Sequence, residues 1–346
     1  FQLPVRPYVR NRPNVVLGSS EPVIAFKYQG SDVNNDLLKE NLSEGEKKAL
    51  YMLSVIFDGE RSKRLKGPKL YVFDDVVDSF DYVNKYSFIE YLRDFVDSDD
   101  AYAILLTHNF DFFRTVASRL GSEFGRQNCL IAEKSASGKI ELKMANYIKK
   151  APLTSWKQKL GHDDAARIAS IAMLRELVEM RDGSKGTDYD LLSSVLHGRP
   201  DGQDVTFDDL SDCYIRQIGC TALAGDNRKV QDVLVDVCNQ IVNNGESFDL
   251  QAKIVLSVGI RTLVERYIHG AFASHGIELS DICTLGKIIA EFREKLPGEC
   301  SAHADLIDQA ALIVPENIHV NGFMYEPLVD IGSHRFVSLY RACLNL

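Results

Sequence analysis

"LYVFDD", Leu70 to Asp75, is an unbroken apolar run closed by two carboxylates. A strand apolar at every position, rather than at every second one, is of the kind that a parallel sheet buries on both faces. Further on, "AYAILLTHN" (101–109) repeats the pattern, this time closed by Thr-His-Asn. Between the two, "DYVNKYSFIEYLRDFVDS" (81–98) returns apolar residues every three to four positions, and "FDFFRTVASRL" (110–120) begins another such stretch. Strand, helix, strand, helix predicts a parallel α/β layer.

Working outward, "ENLSEGEKKAL" (40–50) places Ser43 three residues before Glu46, the spacing of a capping box. It predicts a helix from Asn41 to Phe57 with Leu50, Leu53, Ile56 and Phe57 on one face, followed by a basic turn, "GERSKRLKGPK". Residues 1–30, Pro-rich and then apolar, read as short strands, and "NCLIAEKSASGKIELKMAN" (128–146) alternates as a hairpin turned at Ser-Gly. From about Ala151 the pattern is helical almost throughout, as in "DDAARIASIAMLRELVEMRDG" and "QAKIVLSVGIRTLVERYIHGAFASHG". The expected organisation is an α/β domain over 1–150 and a helical domain over 151–346, divided near residues 148–162.

The bulk composition narrows the function classes. A net charge of -9 argues against wholesale coating of nucleic acid. The basic stretches "RSKRLKGPK" and "KKAPLTSWKQK" are local candidates for phosphate contact, the second with a Trp that could stack on a base; solvated loops explain both equally well. No apolar run approaches the roughly 18 residues a membrane span needs, and no charged-then-apolar leader opens the chain, so a cytoplasmic location without a membrane partner is expected. The seven cysteines stand singly without a CxxC pair, which suggests buried thiols rather than zinc or disulfides.

Asp74 and Asp75 offer two chemistries. At the end of a strand, a carboxylate pair can hold Mg²⁺ with its waters and polarise an attacking water; it can equally cap the next helix. His108 can hydrogen-bond a terminal phosphate or serve structurally. Their order decides between these: "LSEGE", a strand ending in Asp-Asp, "DSFD" (78–81), and a strand ending in Thr-His, all within seventy residues.

That series resembles the second half of an ABC-type ATPase head, in the branch with SMC- and RecF-like proteins and the ABC-ATPase toxins. The resemblance implies the C-terminal lobe of a P-loop ATPase, with ATP and Mg²⁺ as cofactors and a homodimer of nucleotide-sandwiched heads, extendable to a higher oligomer. By position, "LSEGE" stands for the signature, "LYVFDD" for Walker B, "DSFD" for the D-loop and "LLTHN" for the switch histidine. Asp74 would then ligate the metal, Asp75 would polarise water and His108 would sense the terminal phosphate. Ser43, Glu44, Gly45, Ser79 and Asp81 would touch nucleotide, partly across the dimer. The family's second Walker B carboxylate is usually Glu, where this chain has Asp75. No GxxxxGK[ST] loop occurs in the 346 residues, and "VVLGSSEPV" and "DGSKGTD" do not fit. With Phe rather than Met first, the expectation is that a phosphate-loop half precedes this stretch.

In the helical half, Arg261 and Glu265 lie four apart and share a helix face, within flanks apolar enough for burial. "VPENIHVNGFMYEPLVDIG" (314–332) concentrates Glu316, Asn317, His319, Asn321, Tyr325 and Glu326 between two prolines, suited either to packing or to a site. Arg261, Glu265 and His319 together resemble the Arg/Glu/His set of the anticodon nucleases PrrC and RloC. That resemblance implies metal-independent RNA cleavage, with His319 as general acid or base, Glu265 as its counterpart and Arg261 stabilising the phosphorane charge. His269 is the rival for the histidine role. The implied setting is an ATP-gated toxin of antiphage defence acting on tRNA; the alternative is an ABC-type ATPase without nuclease activity that binds DNA or drives a separate effector subunit.

Overall fold

The computed structural model describes residues 3–10, 23–28, 30–33, 40, 42–62, 67–77, 80, 82–96, 101–120, 126–145, 152–197, 200–244, 250–278, 285–314, 328 and 331–346. Over these the protein is mixed α/β, divided into two compact units, Phe1–Gly125 and Arg126–Leu346. The sequence places a division near residues 148–162, and the compact units divide between residues 125 and 126.

The first unit opens with β1 (Val5–Val9), β2 (Ile24–Tyr28) and β3 (Ser31–Val33), an antiparallel sheet in that order. Then come α1 (Glu44–Ser62), β4 (Lys69–Asp74), α2 (Tyr82–Val96), β5 (Ala101–Leu106) and α3 (Phe110–Arg119). β4 and β5 pair in parallel, Lys69 opposite Ala101 through Asp74 opposite Leu106. Helix α1 begins three residues later than anticipated and runs on to Ser62, into what the sequence suggests is a basic turn. Its buried positions are Ala49 and Met52, whereas Phe57 is exposed.

One face of the β4–β5 pair carries the core. Tyr71 and Phe73 of β4 and Ala103 and Leu105 of β5 pack with Met52, Phe88, Ile89, Leu92, Phe112 and Val116 from the three helices. Phe88 is the hub, edge-on to Phe73 at 5.4 Å and stacked on Phe112 at 6.4 Å. The opposite face, with Leu70, Val72, Tyr102, Ile104 and Leu106, is exposed. The expected burial on both faces is not found, because all three helices that reach this core pack on the same side.

The second unit starts with a hairpin, β6 (Leu130–Lys134) and β7 (Ile140–Met144), turned through Gly138 at a φ of 82°. It belongs with the helices because Glu133 is anchored among them. Its carboxylate accepts from the Ser333 N–H at 2.6 Å, from the Ser333 hydroxyl and from Lys143 at 3.0 Å, with Lys253 at 3.6 Å. That tie moves the boundary upstream of the hairpin.

The helices are α4 (Pro152–Lys157), α5 (Asp164–Asp182), α6 (Thr187–Leu196), α7 (Phe207–Ile218), α8 (Val230–Asn243), α9 (Leu250–Ser274), α10 (Leu285–Lys295), α11 (Pro297–Ala302), α12 (Ala304–Ile313) and α13 (Ser333–Cys343). α9 is the axis, buried on nearly every side from Leu250 to Glu265 and packed against α5, α8, α10, α12 and α13. A helix that apolar all round has no solvent face to offer. Gly259 allows the closest approach: a Cβ there would come within 2.6 Å of Cys238 Sγ and 3.2 Å of the Tyr340 ring. Of the cysteines, Cys129, Cys213, Cys220, Cys238, Cys300 and Cys343 are free and buried, as expected for small apolar side chains.

Candidate functional site

Two polar constellations stand out, one in each unit. In the first, the β4–β5 ladder carries on past the strands: the Asp75 N–H donates to Leu106 O at 3.0 Å. This brings Asp75 level with the residues after Leu106. The His108 N–H and His108 Nδ1 both reach Asp75 Oδ1, each at 3.0 Å. Behind them Asn109 caps α3, its side chain accepting from the Phe112 N–H at 2.7 Å. The carboxylate and the histidine are thus fixed at the C-terminal ends of adjacent parallel strands, where open α/β sheets bind ligands.

Asp75 holds a φ of 46°, the only non-glycine among the described residues in the left-handed region. Aspartate tolerates that region better than most residues, but holding it there still costs energy, and such strain concentrates at functional sites. Burial works against its ionisation, yet the hydrogen bonds and charge of His108, aided by the charge of Lys48 on α1, keep its carboxyl below the ordinary 3.8. The pair is wet, with 64% of the His108 side chain and 43% of that of Asp75 exposed. Asp74, the last ladder residue, is exposed beside it. Asp75 therefore engages the neighbouring strand end, in contrast to the helix-capping role its position also allows.

Ser43 forms the capping box in full. Its N–H and its hydroxyl donate to Glu46 Oε2, each at 2.8 Å, and its oxygen accepts the Glu46 N–H at 3.3 Å. Glu44 pairs with Lys47 at 2.7 Å and, with Gly45, lies inside the first helical turn rather than in a loop before it. Among the described residues no group of three or more His, Cys, Asp or Glu could hold a metal by itself. Mg²⁺ in nucleotide sites takes one or two carboxylates and completes its shell with phosphate and water, a donor set that Asp74 and its neighbour fit.

No protein-family model, curated protein or solved structure matches the chain.

The second constellation is deep in α9. Arg261 Nε donates to Glu265 Oε1 at 2.7 Å, with the side chains 1% and 0% exposed. The third member is His197, just past the end of α6, whose Nδ1 lies 2.6 Å from Arg261 Nη2 and 3.5 Å from Glu265 Oε1. A guanidinium only donates, so at this contact Nδ1 is the acceptor. Burial pushes the Glu265 carboxyl up, but the Arg261 charge, with His197 beside it, holds it below its ordinary 4.5.

Tight packing holds His197 in place. Its N–H donates to Ser193 O at 3.0 Å, closing α6. Gly202 presses on that helix end so closely that a Cβ would sit 2.0 Å from Ser194 O. Gln231 of α8 donates to Val195 O at 2.6 Å and accepts from Arg266 of α9 at 3.2 Å.

Asp75 and His108 are thus brought together, as are Arg261 and Glu265. His269 sits two turns along α9, half-buried. Ser79, Asp81 and His319, with Glu316, Asn317, Asn321, Tyr325 and Glu326, lie outside the described residues. Sequence reasoning missed His197, which is 64 residues from Arg261. Its one local signal is a histidine ending an apolar helix, followed by Gly-Arg-Pro.

Proposed function

We propose that the first unit is the carboxylate–histidine half of an ABC-type ATPase head and that the second is the effector it controls. The observation that carries this is the junction of Asp75 and His108 at the ends of two adjacent parallel strands. Asp74 would hold Mg²⁺ together with phosphate oxygens, and the ion would neutralise charge on the triphosphate. Asp75, kept ionised, accepts hydrogen bonds from the water that attacks the terminal phosphate, and His108 links that carboxylate to the phosphate. Ser43 exchanges its bond to Glu46 for one to phosphate, supported by the N-terminus of α1. The reading calls for a phosphate loop from outside these residues and for a second head, and is tested on the protein as the cell makes it. Asp75→Asn should bind Mg-ATP within about three-fold of the parent and hydrolyse it at least about 100-fold more slowly. Undiminished turnover would refute the assignment.

For the effector, the preferred reading is RNA cleavage, with tRNA as substrate class. The ribose 2'-oxygen would form a bond to the adjacent phosphorus as the P–O5' bond breaks; the 2'-hydroxyl proton leaves to a base and the 5'-oxygen gains one, giving a 2',3'-cyclic phosphate and a 5'-hydroxyl. Arg261 supplies positive charge to the five-coordinate phosphorus and Glu265 is an ionised acceptor. The buried cluster is the resting state, which the nucleotide cycle opens. Burial of Arg261 and Glu265 also favours a second reading, in which the helical unit only transmits the cycle to DNA or a separate effector subunit. Intact RNA after incubation with the active ATPase would select that one.

A further inference from the structure

A buried Arg–Glu pair is a costly way to hold a helix together, since apolar replacements of similar volume are commonly as stable or more so. Here a third buried polar side chain, 4% exposed, has been brought from a distant helix end to the pair. The manner of contact is specific. Nε and Nη2 form one edge of the guanidinium fork, and that edge is filled jointly, Glu265 Oε1 at Nε and His197 Nδ1 at Nη2. Two acceptors from separate helices fix both the plane and the direction of the remaining two-donor edge, Nη1 with the second N–H of Nη2, which matches a phosphate bidentately.

We propose that His197 is the positioning residue of the Arg261–Glu265 site, its Nδ1 lone pair locking the guanidinium in the orientation that receives an RNA phosphate. This rests on the nuclease reading and assigns to His197 a histidine contact with the arginine. The ring acts through Arg261 and exchanges no proton with substrate. What matters is an acceptor at the Nδ1 position, which asparagine reproduces with Oδ1 and glutamine displaces by one methylene.

The experiment measures cleavage of bulk tRNA, in the presence of Mg-ATP, by the complete protein and its Arg261→Gln, His197→Asn and His197→Gln variants, with melting temperatures as a control on folding. Expected are loss of cleavage in Arg261→Gln, His197→Asn within about five-fold of the parent, and His197→Gln down about 100-fold in kcat with KM little changed, the scale of a misplacement of about 1 Å. Should His197→Gln not fold, Arg261→Lys replaces it, because an ammonium cannot meet both acceptors in one plane; the same loss is expected. If Arg261→Gln is inactive while His197→Gln, or its Arg261→Lys substitute, matches the parent, the positioning role is overturned and the nuclease reading stands. Asn and Gln variants of equal activity would overturn it likewise. If Arg261→Gln cleaves tRNA normally, or the parent does not cleave it, the nuclease reading falls and takes the role of His197 with it.

Discussion

In the α/β unit, Asp75 meets His108 with 43% and 64% of their side chains exposed; in the helical unit, Glu265 meets His197 with 0% and 5%. Each carboxylate sits in the field of a cation, Lys48 for the first and Arg261 for the second, and each is held below its ordinary pKa. Both sites join a carboxylate, a histidine and a cation, and their environments are opposite. Water around the first pair screens it, so it adds little to stability and can exchange its partners for a ligand's. The second carboxylate is locked to Arg261 by desolvation, because neither charge of that pair tolerates losing the other. A site of the first kind is ready for substrate, and one of the second kind must be opened.

Stability measurements can break that contrast. In urea unfolding, Glu265→Ala should cost about 3–5 kcal/mol, since it strands a buried guanidinium. Asp75→Ala should cost no more than about 1 kcal/mol. Equal losses would mean that the environments do not differ as described. Removing both charges sharpens the point: Arg261→Met combined with Glu265→Leu should recover most of the loss, to within about 2 kcal/mol of the parent.

Acid provides a finer test. A carboxyl whose folded pKa is depressed stabilises the fold above its unfolded value, and that contribution fades as pH falls toward the folded value. For Glu265 the decline starts near the ordinary 4.5 and extends below it. Glu265→Gln should flatten stability against pH in that acidic window, whereas Asp75→Asn, at a wet site, should change the slope little. The smallest effect belongs to the backbone. At φ 46° glycine is unstrained, so Asp75→Gly should raise stability by up to about 1 kcal/mol while abolishing ATP turnover.

Much of this was legible in the sequence, and unevenly so. The hairpin at Ser-Gly, the strands at 69–74 and 101–106, and the long helices of the second half follow local periodicity and turn chemistry, and the structure has them where those rules put them. Ser43 and Glu46, three apart, form the expected box because both bonds are local. What failed depends on distant packing. Continuous apolarity in "LYVFDD" suggests two covered faces, but the helices that reach the strands lie on one side. The boundary fell upstream of the hairpin because one glutamate, Glu133, reaches Ser333. The same limit hid His197: helical spacing pairs Arg261 with Glu265, and no spacing rule connects either to the end of α6.

The most direct test of the account assays Asp75→Asn and Arg261→Gln side by side for ATP turnover and tRNA cleavage in the complete protein. The account predicts that Asp75→Asn loses ATP turnover by about 100-fold or more and RNA cleavage with it, while Arg261→Gln loses only RNA cleavage. Full ATP turnover in Asp75→Asn would contradict it.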